Sequence, residues 1–327
     1  MFMNRPRHIS ISIDVDTLAR DLTSGNYFEL LSKRIKTSYK LVLPKIIEYL
    51  DKLEIKATFF MVANDVLENP SIAREIVARG HELASHSRTH NKLLSNLNKA
   101  ELKSEITDSK KIIEDIIGKK VEGFRAPGYC LSNNIIDVLE ESGYVYDSSL
   151  NTSPPYNFLK LAIKKLCRNY GRENLKEEKI SFIHYPYAFR PSIMDYNVPG
   201  FENEKRSLIE IPIFLMDKTL LPLTSSIFQP MGKMLAHTIL RLGISNYTFI
   251  PIELHDFEFA SRDDYLKVNG GYRMLSFMRH FGAFSNSSFE IIDDIILTLK
   301  ENVKYKTEFI TLRRSLHLFL ENVICDE

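Results

Sequence analysis

Ile9-Ser10-Ile11-Ser12-Ile13-Asp14-Val15-Asp16 alternates β-branched with small polar or acidic residues. Strict alternation is the signature of a strand, and it fixes the first element of the chain. Side chains at i and i+2 of a strand share a face, so Asp14 and Asp16 project together where the strand ends. Carboxylates held that close repel each other, and a bound cation or a shared proton is the usual remedy. The other use of such a pair is a helix N-cap, by Asp16 or by Thr17 after it.

Downstream the pattern changes to a repeated strand-then-helix rhythm. Leu41, Ile46, Ile47, Leu50 and Leu53 form a helical stripe whose start is set near Pro44. Residues 56–61 read as a second strand, 72–78 as a short helix stopped at Gly80, and 81–85 as a third strand. The spacing predicts a long amphipathic helix over 99–117 closed by Gly118 and a strand over 121–124. A helix over 135–141 and a strand over 144–147 follow. Later strands are predicted at 208–214, where Pro212 suggests an edge or an end, at 247–254 and at 308–312. Helices are expected over 231–242, 265–281 and 289–299. Alternation of this kind implies parallel strands covered by helices, with functional loops at the strands' C-terminal ends.

The third strand delivers Ser85-His86-Ser87-Arg88-Thr89-His90. Two histidines four residues apart fall on one side of a helical turn, a common way to present two neutral nitrogens to one metal ion. Alone, such a pair reads better as two solvated loop histidines. Its weight comes from the other polar strand ends: Asp14, Asp16, Arg125, Asp147 and His255, which a parallel barrel gathers on one face. Two imidazoles and one carboxylate leave a ligand position open for water, as catalytic divalent sites do. Alone, His255 would read as a hydrogen-bonded core histidine and Arg125 as part of an ordinary salt bridge.

The order of these motifs resembles the polysaccharide deacetylase family, carbohydrate esterase family 4 with its NodB-homology fold. Asp14-Val15-Asp16-Thr17 resembles its first motif and His86-Ser87-Arg88-Thr89-His90 its second. Arg125-Ala126-Pro127-Gly128-Tyr129, Tyr146-Asp147-Ser148-Ser149 and Leu254-His255 resemble the third to fifth. The resemblance implies an α/β fold, a distorted (β/α)7 barrel, as a single catalytic domain over 1–327 with an insertion around 151–206. It implies one divalent metal, zinc before others, held by Asp16, His86 and His90. It implies Asp14 as general base, His255 as general acid, a backbone N–H near Gly128 or Tyr129 for the oxyanion, and Arg125 and Asp147 in support. Many members have adjacent aspartates where Val15 intervenes here, so base and ligand remain interchangeable between Asp14 and Asp16. The D-V-D form resembles the branch acting on amide-type substrates and the deformylases of lipid-linked aminosugars.

The 327 residues are 44% hydrophobic and 26% charged with a net charge of +1, which argues against a general nucleic-acid binder. Cys130, Cys167 and Cys325 are far apart and contain no C-x-x-C, consistent with a reducing compartment. The N-terminal segment enters a strand within a few residues without an apolar run, and a cytoplasmic protein is expected. Leu159 to Arg168 reads as a basic amphipathic helix, either packed on the domain or resting on an anionic membrane surface. The aromatic run 182–189 suggests an elaborated loop near a substrate groove.

The resemblance implies a metal-dependent hydrolase that removes an N-acetyl group from a sugar of a cell-surface polysaccharide or lipopolysaccharide precursor, the N-acylated sugar being polymeric, nucleotide-linked or lipid-linked. The alternatives are an N-deformylase of a polyprenyl-phosphate-linked aminosugar at the inner face of the membrane and a catalytically silent sugar-binding barrel. The sequence is silent on oligomeric state.

Overall fold

The computed structural model describes residues 6–16, 38–129, 131–151, 194–195, 207–215, 222–224, 238, 249–260, 287–300 and 306–325. The opening octapeptide lies within β1, Arg7–Val15, except for Asp16, which follows its last residue. Ile9, Ile11, Ile13 and Val15 enter the main core, while Ser10, Ser12 and Asp14 occupy the alternate face. A π-turn at Ser38–Val42 leads into α1, Leu43–Lys52, with Pro44 in its first turn. There the missing proline N–H costs nothing. Then follow β2 (Thr58–Met61), α2 (Ala63–Glu68), α3 (Pro70–Ala78) and β3 (Glu82–Ser85).

The long helix α4, Lys99–Ile117, keeps the predicted boundaries because both ends are built into the sequence. Asn98 accepts from the Glu101 backbone N–H while Glu101 accepts from that of Asn98, and Gly118 takes the left-handed conformation at φ 67°. This is a capping box at one end and a glycine stop at the other. β4 (Gly123–Phe124), α5 (Asn133–Glu141) and β5 (Tyr146–Asp147) continue the rhythm. Beyond them lie β6 (Met194–Asp195), β7 (Ile209–Glu210), β8 (Phe249–His255), α6 (Ser287–Lys300), β9 (Thr307–Phe309) and α7 (Leu312–Cys325).

One sheet runs in the order β6-β7-β5-β4-β3-β2-β1-β8, with β9 beside β1. Every pairing is parallel except β6 with β7. His8 and Ile9 pair with both β8 and β9, so those strands lie on opposite edges of β1. The result is a curled half-barrel of parallel strands surrounded by helices, the architecture the motif order implied.

Phe59 faces the helices in the main core. Its neighbour Phe60 points the other way, into a smaller cluster with Ala84, Tyr146, Ile209, Ile211, Leu312 and Leu316. α7 seals that interior at the strands' N-terminal end. Its first N–H groups bond to Thr58 Oγ1 and to the buried Glu82 carboxylate, each at 2.9 Å. This helix begins where the sequence pattern extended a strand to Leu312. Thr311 instead caps it, accepting from the Arg314 N–H at 3.2 Å.

The short helix α2 was likewise not anticipated. The predicted helices over 159–168, 231–242 and 265–281 and the aromatic run 182–189 lie outside the described residues, apart from Thr238. The same holds for nearly all of the expected 151–206 insertion. No helix among the described residues is long and apolar enough to cross a membrane.

Candidate metal centre and acid-base cleft

Most of the predicted site residues sit at or beside C-terminal strand ends: Asp14 and Asp16 at β1, His86 after β3, Arg125 after β4, Asp147 on β5 and His255 ending β8, while His90, Gly128 and Tyr129 lie further along the following loops. Parallel strands aim these ends the same way.

Asp16 Oδ1 lies 3.1 Å from Nε2 of His86 and 3.1 Å from Nε2 of His90. Burial opposes ionisation of Asp16, but His90 and His86 outweigh it and hold the carboxyl well below its usual range. His86 Nδ1 is 2.8 Å from the Arg125 carbonyl oxygen. Donating there places the ring's proton on Nδ1 and leaves the Nε2 lone pair free, the arrangement of a metal-ligating histidine. Asp16 Oδ1 and His90 Nε2 are buried without a hydrogen bond of acceptable geometry. A tetrahedral zinc with bonds of about 2.0–2.1 Å separates its ligand atoms by about 3.3 Å, so this donor set fits such an ion.

The histidines do not reach this position from a helical turn, as their spacing suggested. Residues 86–90 form an irregular loop in which Ser87 and His90 adopt positive φ, 63° and 61°. The loop folds back on itself through a 3.0 Å bond from the His90 N–H to Ser87 Oγ.

Asp14 has a different partner. Arg125 Nη1 lies 2.6 Å from its Oδ1 and 3.0 Å from Ser12 Oγ, while Nε and Nη2 donate to the carbonyl and hydroxyl of Ser148. The guanidinium also lies over the Phe60 ring, 4.1 Å from its centre. Burial opposes the Arg125 charge, but Asp14 and Glu253 more than offset it and its pKa is raised. Asp147 stands one step back: its Oδ1 accepts from Ser149 Oγ, which accepts from the Ala126 N–H. It thereby orients the loop carrying Arg125. Gly128 and Tyr129 both have positive φ, and the Tyr129 N–H is engaged by the Ala126 carbonyl at 3.0 Å.

His255 Nε2 is 3.9 Å from Asp16 Oδ2, and Nδ1 is 3.6 Å from Glu258 Oε1. Burial disfavours the imidazolium, but the carboxylates of Glu258, Asp16 and Glu253 prevail and raise its pKa well above 6.5. Glu253 was not singled out from the sequence, although its i−2 spacing from His255 puts it on the same strand face. It is 1% exposed, receives the Tyr129 hydroxyl and lies 4.0 Å from His255. Burial and the neighbouring Asp14 charge push its carboxyl up to about 7. The site therefore has two adjoining groups, Asp16-His86-His90 and Asp14-Glu253-His255, each with ligand atoms within 4.8 Å of one another.

This half-barrel with two histidines and an aspartate at its rim has the architecture of a polysaccharide deacetylase. Residues 37–146 match the polysaccharide deacetylase family model. The matched span includes His86, His90 and Arg125, whereas Asp14, Asp16 and His255 lie outside it and join it through the sheet. Over 101 residues the chain is 31% identical to the peptidoglycan-N-acetylglucosamine deacetylase of Bacillus cereus, covering 31% of this chain and 46% of that protein. Over 118 residues it is 28% identical to chitin deacetylase 1 of Cryptococcus neoformans, covering 35% of this chain and 25% of that one. The alignments thus span less than half of either relative.

The fold extends further than these alignments. A Mycobacterium smegmatis structure proposed to be a polysaccharide deacetylase superimposes over 98% of this chain and 93% of its own, with TM-score 0.60 and 16% identity. The Puue allantoinase covers 94% of this chain and 88% of its own at TM-score 0.57 and 14% identity.

Proposed function

We propose that the protein is a metal-dependent hydrolase that removes the N-acetyl group from a sugar of a cell-surface polysaccharide or lipopolysaccharide precursor. The observation that carries this reading is the convergence of Asp16 on His86 and His90 beside Asp14 and His255. A divalent ion held there would polarise the amide carbonyl and make water acidic enough to supply hydroxide near pH 7. Asp14, fixed by the Arg125 fork, accepts the proton of the attacking water. His255, whose neighbours keep it protonated at neutral pH, donates a proton to the departing sugar nitrogen. Acetate and a free amine result. Asp147 supports the Arg125 loop from behind. Three widely spaced cysteines support a cytoplasmic setting, hence a precursor as substrate.

The test measures acetate released from N-acetylated sugar oligomers and lipid- or nucleotide-linked N-acetyl sugars by the zinc-loaded protein. Asp14→Asn and His255→Ala should each lower the rate by about 10²–10⁴-fold. Acetate release that survives both substitutions would remove the assigned roles. Tight sugar binding without any released acid would indicate a silent barrel instead.

A further inference from the structure

The loop that presents the two histidines is gripped from both sides, and one grip comes from a residue outside the family motifs. Toward α2, the Ala63 and Asn64 N–H groups, left without intrahelical partners at the helix start, donate to the Ser87 and Arg88 carbonyls at 3.1 Å each. Toward α4, Glu105 receives the loop's outward-facing donors. Its Oε2 accepts from the Thr89 N–H at 3.0 Å and from the Arg88 N–H at 3.2 Å, and its Oε1 accepts from Thr89 Oγ1 at 2.6 Å. The Arg88 N–H also reaches the Glu105 carbonyl at 2.9 Å. The Glu105 side chain is buried on the face of α4 turned to the loop.

We propose that Glu105 is a positioning residue for the metal centre, clamping Arg88-Thr89 so that His90 stays aligned with His86 and Asp16. This rests on the metal-dependent reading above. Ser87 and His90 both hold positive φ, a conformation that non-glycine residues leave unless their surroundings enforce it. A carboxylate taking two backbone N–H groups and a hydroxyl is such an enforcement, because charge-assisted bonds in a buried setting are strong and directional. When the clamp is lost, the loop relaxes toward ordinary φ and His90 Nε2 moves off the point it shares with Asp16. His86 is independently anchored by its N–H to Met61 and its ring to Arg125, so the loss falls on His90.

Zinc titration of the full-length metal-free protein by calorimetry tests this, together with the visible absorption of the cobalt(II) form. Glu105→Ala should raise the zinc Kd by about 10–100-fold and alter the cobalt ligand-field bands, as loss of an outer-sphere support does. Glu105→Gln, which keeps one carbonyl acceptor, should recover most of the affinity. If Glu105→Ala does not fold, Glu105→Gln combined with Thr89→Val serves as the weakened clamp, with folding checked by circular dichroism. A folded Glu105→Ala protein that binds zinc within about twofold of the wild type, with unchanged cobalt bands, overturns the proposal and leaves the metal reading intact. Wild-type protein that takes up no zinc overturns both.

Discussion

Arg125 holds Asp14 at 2.6 Å with both side chains almost wholly out of water, 1% and 4% exposed. A buried pair of this kind has a desolvation cost on each ion, so removing one partner leaves the other uncompensated. Arg125→Met should therefore destabilise the protein by roughly 3–5 kcal/mol in urea denaturation. Arg125→Lys should recover only part of this, because one ammonium cannot serve Asp14, Ser12 and both Ser148 oxygens together. Equal stability of the lysine variant and wild type would contradict the fork as the source of the effect.

The proposed metal centre leads to a prediction independent of any substrate. Asp16→Ala deletes one of the two different ligand types from the trio. Zinc affinity should fall by more than the roughly 10–100-fold attributable to outer partners. Elemental analysis after dialysis against trace zinc reads the outcome, and undiminished zinc in the variant would exclude Asp16 from the ligand set.

His81 gives the fold a pH dependence away from the candidate site. Its ring is buried, with Nδ1 accepting from the Ala57 N–H at 3.2 Å, and burial followed by Lys56 lowers its pKa from 6.5 to about 4. Between those values the unfolded chain binds a proton that the folded one refuses. The His81 contribution is complete above pH 6.5 and shrinks as the pH falls toward 4. His81→Asn preserves an acceptor but cannot titrate, so the wild type should lose of order 2–3 kcal/mol relative to the variant across that window. Parallel stability curves for the two proteins from pH 7 to about pH 4 would show that His81 is not the group responsible.

Gly123 illustrates a close approach that has no bearing on chemistry. A methyl group there would overlap the Tyr146 ring, whose hydroxyl is tied to Glu82 at 2.9 Å in the sealed interior. Since Tyr146 cannot swing aside without taking its hydrogen bond from Glu82 Oε1, Gly123→Ala should cost about 2–3 kcal/mol. A melting temperature unchanged from wild type would mean that the ring moves more freely than this packing implies.

The parts of this architecture legible in the sequence are those governed by local rules. Alternation in Ile9–Asp16 gave β1, and the Asn98 to Glu101 pairing with Gly118 bounds α4 so firmly that pattern and structure agree at both ends. The gathering of Asp16, His86 and His90 was legible because each ends or follows a strand. Glu253 was hidden because a lone glutamate in an apolar strand carries no motif, although counting back two positions from His255 would have found it. Glu105 looked like an ordinary charge on an amphipathic helix, and only the fold brings it against Arg88 and Thr89. The histidine loop was misassigned as helical because the four-residue spacing is shared by a helical turn and by a left-handed excursion. Only the backbone angles of Ser87 and His90 distinguish them.

The placement of β1 governs the order in which the protein can mature. This strand, the first among the described residues, is flanked by β2 on one edge and on the other by β8, whose partner residues lie some 240 positions later, as in the bond from Ser12 to Ile252. On the ribosome, the opening strand must wait with one edge bare until residue 255 emerges. His255 therefore reaches its place opposite Asp14 only after some 240 further residues have been synthesised, so the candidate site is assembled late by construction.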